Sequence, residues 1–212
     1  MDVFKRLAAE KIVPVIKLQT PDSAVPLAKA LSEGGINVAE VTFRTDAAAE
    51  SIKRIREDFP QILVGAGTVL TIENAKKAED AGASFIVAPG FNPKIVEYCL
   101  SRNIPVVPGV NSPSQVEQAM ELGLNVLKFF PAELSGGIMM LKTLGTVYNI
   151  SFMPTGGLSE ANFIEYLSLP NVTACGGSWM VKAELIESGN FDEITRLSAG
   201  VRKLLTETFN RE

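Results

Sequence analysis

Apolar residues recur along the chain in two alternating rhythms. Short, nearly unbroken runs of four to six residues occupy positions 12–16, 38–43, 62–66, 85–88, 105–108, 126–131, 150–154 and 172–175. Between them, apolar positions recur every three or four residues, a spacing that predicts helices over 23–32, 47–58, 72–81, 93–102, 113–122, 137–144 and 160–167. A first amphipathic segment spans 2–10, a short helix is predicted at 182–188, and a long one closes the chain at 191–209. Runs that are hydrophobic throughout, rather than alternating, call for a parallel sheet covered on both faces. Eight such βα units predict a closed (β/α)8 barrel with an additional N-terminal helix, residues 1–212 forming one domain. An open, doubly wound sheet is the structural alternative, but its edge strands would be shorter or more charged than these runs. Gly34-Gly35, Ala81-Gly82-Ala83 and Gly123 fall where helices end and read as C-terminal caps leading into the next strand.

Composition narrows the chemistry. An apolar fraction of 46% supplies ample material for a core, and a net charge of −4 argues against a nucleic-acid or membrane-surface partner, either of which would favour a concentrated basic face. No apolar stretch approaches the ~18 residues of a spanning helix, so a cytoplasmic protein is expected. Only Cys99 and Cys175 are present, too few and too far apart for a disulfide framework or a zinc cluster. The chain contains no histidine, which removes Ser-His-Asp hydrolysis, Cys-His nucleophiles and imidazole-held metals. Catalysis has to run on Lys, Glu, Asp, Tyr or Cys.

One cation stands inside an otherwise apolar strand, in Val126-Leu127-Lys128-Phe129-Phe130-Pro131. Low-dielectric surroundings destabilise an ammonium relative to the free amine, and the free amine is the form that attacks a carbonyl to give a Schiff base. The plainer reading of Lys128 is a strand-end lysine that lays its stem on the core and keeps its head in water. By the two-residue period of a strand, Lys128 shares its side with Phe130, while Glu40, Thr42 and Arg44 share one side of the second strand. An acid, a hydroxyl and a guanidinium thus face inward together, although a buried Glu40–Arg44 salt bridge that only shapes the barrel is the structural alternative. Thr68 and Pro89-Gly90, after the third and fourth strands, add a hydroxyl and a tight backbone at the same rim. Lys17, ending the first strand, is either a second anion contact or an ordinary strand-end lysine.

Two glycine signals follow the last two strands: Pro154-Thr155-Gly156-Gly157 and Gly176-Gly177-Ser178. A lone Gly-Gly is more often a turn than an anion cradle. Loops after strands seven and eight of such a barrel, however, are its recurrent phosphate site, and a pair of glycine signals at matching positions predicts one here. Trp179 adjoins it, equally suited to packing or to function.

Taken in order, Glu40-Val41-Thr42-Phe43-Arg44-Thr45, Gly65-Ala66-Gly67-Thr68-Val69, Lys128-Phe129-Phe130-Pro131-Ala132-Glu133, Pro154-Thr155-Gly156-Gly157 and Gly176-Gly177-Ser178-Trp179 resemble the bacterial 2-keto-3-deoxy-6-phosphogluconate (KDPG) aldolase family, often bifunctional on 4-hydroxy-2-oxoglutarate (KHG). The resemblance covers nearly the whole chain. It implies a homotrimeric class I aldolase on a TIM barrel, using a covalent lysine imine and neither metal nor other cofactor. It further implies that Lys128 forms the Schiff base and Glu40 moves protons. Arg44, Thr68, Pro89, Phe130 and Thr155 would meet the pyruvate part of a phosphorylated keto acid, and Gly156, Gly157, Gly177, Ser178 and Lys17 its phosphate. Phe43 stands where many relatives have leucine, and Lys17 where some have arginine. The expected reaction cleaves 2-dehydro-3-deoxy-6-phospho-D-gluconate to pyruvate and D-glyceraldehyde 3-phosphate, with cleavage of 4-hydroxy-2-oxoglutarate to pyruvate and glyoxylate beside it. A 6-phosphogalactonate aldolase, a metal-free phosphosugar isomerase or epimerase, and a sugar-phosphate binding module are the alternatives. The binding module fits a lysine inside an apolar strand least well.

Overall fold

The computed structural model describes residues 2–209. Helix α1 (Val3–Glu10) starts where the Asp2 side chain accepts from the Phe4 amide, and ends at Lys11 in the left-handed region. Strand β1 (Ile12–Ile16) then leads through a 3-10 turn, Pro21–Ser23, into α2 (Ala24–Glu33). The alternation continues with β2 (Val38–Thr42), α3 (Ala48–Asp58), β3 (Leu63–Gly67), α4 (Ile72–Asp80), β4 (Ile86–Val87), α5 (Pro93–Ser101), β5 (Val106–Val107) and β6 (Gly109–Val110). It ends with α6 (Pro113–Glu121), β7 (Val126–Phe129), α7 (Gly137–Val147), β8 (Ser151–Pro154), α8 (Phe163–Leu167), β9 (Cys175–Gly177), α9 (Ala183–Glu187) and α10 (Phe191–Phe209). Gly35, Gly82 and Gly123 all adopt positive φ after their helices, as expected of caps.

All strand pairings are parallel. Six strands form a curled sheet in the order β5-β4-β3-β2-β1-β9, and three more form β6-β7-β8. The expected fifth strand is thus two short pieces on either side of Pro108, which has no N–H to give to a ladder. Its carbonyl still accepts from the Lys128 amide at 2.9 Å, so one stretch of chain passes from one sheet to the other. Across the other gap, isolated parallel bridges join Phe152 to Val172 and Thr155 to Gly176.

The eighth strand departs from expectation. The run 172–175 was expected to be strand and Gly176-Gly177 its following loop, yet the strand begins at Cys175 and contains both glycines. Register decides this, because β1 pairs Ile12, Val13 and Pro14 with Cys175, Gly176 and Gly177. Both glycines are obligatory: a Cβ on Gly176 would run into Thr155 Oγ1, and one on Gly177 into the Trp179 ring.

The core lies between the sheets and under the helices. Ile12, Val41, Val64, Val87, Phe129 and Phe152 are all fully buried, and the last two rings meet edge-on with centroids 6.4 Å apart. Truncating either ring to alanine would cost about 3–5 kcal/mol. Helix α10 packs on α2 at Gly34, against Ser198, and fastens there through Thr195 Oγ1 to Ala30 O at 3.2 Å and Arg202 Nε to Gly35 O at 2.9 Å. No described helix is long and apolar enough to cross a membrane.

Candidate active site

Lys128 is the third residue of β7, paired in register with Gly109 of β6 and Met153 of β8. Its side chain crosses the interior to Glu40, the middle residue of β2, flanked by Val15 and Gly65. The Nζ–Oε1 distance is 3.3 Å, with Lys128 4% exposed and Glu40 0%. The amine therefore does not snorkel to water. The space for the carboxylate comes from Gly67, where any Cβ would strike Glu40 Oε1. Glu40 Oε2 has no partner among the described residues, and the Phe130 ring centroid lies 5.4 Å from the amine.

Magnitudes show what this pair is not for. At an effective dielectric of about 20, opposite charges this close attract by roughly 5 kcal/mol, while desolvation removes several kcal/mol per ion. The two nearly cancel, and an apolar pair of similar volume would serve stability as well. An unpartnered carboxylate oxygen beside a buried amine has the geometry to exchange a proton with a group bound at that amine.

Arg44 does not pair with Glu40. Its Nε donates to Thr42 Oγ1 at 3.1 Å, and the Thr42 hydroxyl donates to Ile16 O at 2.7 Å, so the guanidinium is aimed along the strand ends. There it lines a cleft of about 340 Å³ together with Lys17, Ser178, Trp179 and Lys182. The predicted phosphate contacts Lys17 and Ser178 are brought together, joined by an arginine assigned to the other end of the ligand. Lys182 joins them although the sequence places it only at the start of a short helix; the signal for it is a cation four residues after Ser178, opening the helix that follows the last strand.

The remaining expected residues divide by position. Thr155 sits after β8, 7% exposed, its Oγ1 without a partner among the described residues and pressed against Gly176. Gly156 and Gly157 have φ of +98° and +85°, and Gly156 lies against the Phe130 ring. Gly177 lies inside β9 with the Trp179 ring over it, which leaves Ser178 as the first residue of the loop. Trp179 packs on Phe163 at 5.4 Å, so its ring has a structural task, yet its buried Nε1 lacks a partner among the described residues. Thr68, just past β3, holds φ +55°, a strained value for a β-branched residue and the kind of strain that gathers at functional sites. Pro89 follows β4, its carbonyl packed against Gly109, the residue in register with Lys128. Neither Thr68 nor Pro89 hydrogen-bonds through a side chain to Lys128 or Glu40 among the described residues.

The cysteines do not join the site. Burial pushes the Cys99 thiol up to about 11 and the Cys175 thiol higher still. Among the described residues no group of three or more His, Cys, Asp or Glu could hold a metal ion.

A parallel α/β fold that buries a lysine against a glutamate, beside an open cleft of cations, defines a class of protein in which an amine can meet the carbonyl of an anionic small molecule. The chain belongs to the KDPG and KHG aldolase family, whose profile matches residues 3–197. It is 50% identical over 196 residues to the 2-dehydro-3-deoxy-phosphogluconate aldolase of Haemophilus influenzae, covering 92% of each chain. It is 49% identical over 197 residues to the protein of the same name from Treponema pallidum, covering 92% of this chain and 94% of that one. The crystal structure of KDPG aldolase from Legionella pneumophila, with pyruvate captured at low pH as a covalent carbinolamine intermediate, is 40% identical. It superposes with a TM-score of 0.91, covering 95% of this chain and 98% of that chain.

Proposed function

We propose that the protein is a class I aldolase that cleaves 2-dehydro-3-deoxy-6-phospho-D-gluconate to pyruvate and D-glyceraldehyde 3-phosphate, and also 4-hydroxy-2-oxoglutarate to pyruvate and glyoxylate. The observation that carries the reading is the buried Lys128 Nζ 3.3 Å from Glu40. The relatives' names support the substrate, and the pyruvate carbinolamine of the Legionella enzyme supports the covalent course.

Lys128, as the free amine, adds to the C2 ketone, and the carbinolamine loses water to give an iminium. Glu40 takes the C4 hydroxyl proton, the C3–C4 bond breaks, and its electron pair moves into the iminium as an enamine while the aldehyde departs. Glu40 then returns the proton to C3, and water hydrolyses the pyruvate imine to free the lysine. The iminium supplies the electron withdrawal that a metal would supply in other aldolases, so no metal is required. The planar fork of Arg44 suits the carboxylate, with Thr68, Pro89, Phe130 and Thr155 around the pyruvate part. Ser178, Lys17 and the backbone of Gly156 and Gly157 take the phosphate. The backbone of Gly177 joins them, its missing side chain leaving room for the Trp179 ring.

A closed, single-domain (β/α)8 barrel is the architecture that fits this role. The chain's passage between sheets at Pro108, the bridges on the opposite side, and the Lys128–Glu40 contact across the interior support it. A homotrimer in the cytoplasm completes the proposal; for the association of subunits, the support is Leu134 and Met139, apolar side chains 89% and 80% exposed near the start of α7. Pyruvate release coupled to lactate dehydrogenase, measured with the gluconate, its C4 epimer and 4-hydroxy-2-oxoglutarate, tests the activity. The gluconate should turn over fastest. Absence of pyruvate from all of them would overturn the reading in favour of an isomerase or a binding module.

A further inference from the structure

Tyr166 is a fully buried phenol whose hydroxyl donates to Glu133 Oε1, the only side-chain partner either group has among the described residues. Burial, and then the Glu133 carboxylate, raise its pKa above the usual range, so it remains a donor at any working pH. Among the described residues neither hydrogen-bonds to Lys128 or Glu40, and the mechanism above uses neither. Both nevertheless bear on the loop after β8. The Glu133 amide donates to Gly156 O at 3.1 Å, the Ala132 amide to Thr155 O at 2.8 Å, and the Asn162 side chain to Gly157 O at 3.3 Å. The Glu133 stem fills the space in front of Gly157, where a Cβ would collide with it, and Gly137 leaves room for the phenol oxygen, 3.0 Å from where its own Cβ would stand.

We infer that the Tyr166–Glu133 pair is a positioning clamp that fixes the Thr155–Gly157 loop relative to Lys128 and so sets the enzyme's preference for a phosphorylated substrate; this rests on the proposal that the loop receives the phosphate. The chain supplies the ruler. Glu133 lies five residues after Lys128 in the same segment, so anything that fixes Glu133 against the loop fixes the distance from the amine to the phosphate cradle. Gly156 and Gly157, both at positive φ and without side chains to anchor them, depend on outside contacts for their place. A substrate held at one end by an imine and at the other by a phosphate is sensitive to that distance, whereas 4-hydroxy-2-oxoglutarate has no phosphate to sense it. Misplacement by about 1 Å is enough to cost one to two orders of magnitude.

The test compares the two substrates in Tyr166→Phe and Glu133→Ala. KM for the phosphorylated substrate should rise about tenfold with kcat little changed, while kcat/KM for 4-hydroxy-2-oxoglutarate stays within about twofold of wild type. Glu133→Gln, whose amide oxygen still accepts the phenol proton, should retain most of the wild-type KM, and Asn162→Ala, which leaves the buried pair intact, should shift KM in the same direction by less. If Tyr166→Phe does not fold, the Glu133 and Asn162 variants carry the same comparison. Parallel losses on both substrates, or a change in kcat alone, would overturn the clamp while leaving the aldolase reading intact. A wild-type enzyme that releases pyruvate from neither substrate would overturn both.

Discussion

The Lys128–Glu40 pair, formed within the strands, and the cleft of Lys17, Arg44 and Lys182, beyond the ends of β1, β2 and β9, both gather basic side chains, but under opposite conditions. The pair is dry, formed across the interior from strands 88 residues apart in sequence, and has one carboxylate oxygen left free. The cleft is open, and the one hydrogen bond its cations make among the described residues, Arg44 to Thr42, aims a side chain without neutralising it. The buried amine faces a carboxylate and little water, whereas the cleft leaves its basic groups open to an anion from solution. One molecule needs both, and the substrate proposed here bridges them.

The largest effect that could break this contrast is Lys128→Met. Turnover should fall by roughly 10⁴-fold or more. Stability should fall too, by about 3–5 kcal/mol, because the Glu40 carboxylate is left buried without its cation. Adding Glu40→Gln should recover most of that loss, measured by denaturant unfolding of the single and double variants. No recovery would mean that the lysine stabilises by packing rather than by pairing.

Glu40→Gln alone should lower kcat by about 10²–10⁴-fold while pyruvate still labels Lys128, since imine formation and proton transfer are separate tasks. Stopped-flow turnover alongside trapping would separate the two. In the cleft, Ser178→Ala or Lys17→Ala should raise KM for the phosphorylated substrate about tenfold without changing kcat, and added salt should weaken binding there. A salt-independent KM would deny the cleft its role as an anion site. The smallest effect belongs to the thiols: iodoacetamide at neutral pH should leave activity unchanged, because burial holds Cys99 protonated up to about pH 11 and Cys175 beyond that. Rapid inactivation with labelling of either cysteine would contradict their burial.

Much of this arrangement was legible in the residues. Helix bounds fell within a residue or two wherever a cap was local, as at Asn92 before Pro93 or Thr71 before Ile72, because the signal and the structure it governs are adjacent. Helix α8 starts late, at Phe163 rather than 160, since Asn162 Oδ1 accepts from the Ser159 amide and Ser159 Oγ from the Ala161 amide, a turn that competes with helix. Strand parity put Lys128 beside Phe130 and Thr42 beside Arg44 correctly. It gave no means of matching strands across the interior, so whether Glu40 would face Arg44 or Lys128 was open. The extent of β9 was hidden for a related reason: Gly176 and Gly177 carry no strand propensity of their own and are strand only because β1 pairs with them. The Tyr166–Glu133 contact joins residues 33 apart with no periodic relation and left no trace in the pattern.

The most direct measurement is borohydride reduction of the wild-type protein in the presence of pyruvate, followed by peptide mapping by mass spectrometry. A single reduced pyruvyl adduct on Lys128, absent from Lys128→Ala, is the expected result. Labelling on any other lysine, undiminished labelling in Lys128→Ala, or no adduct at all would contradict a buried amine as the nucleophile.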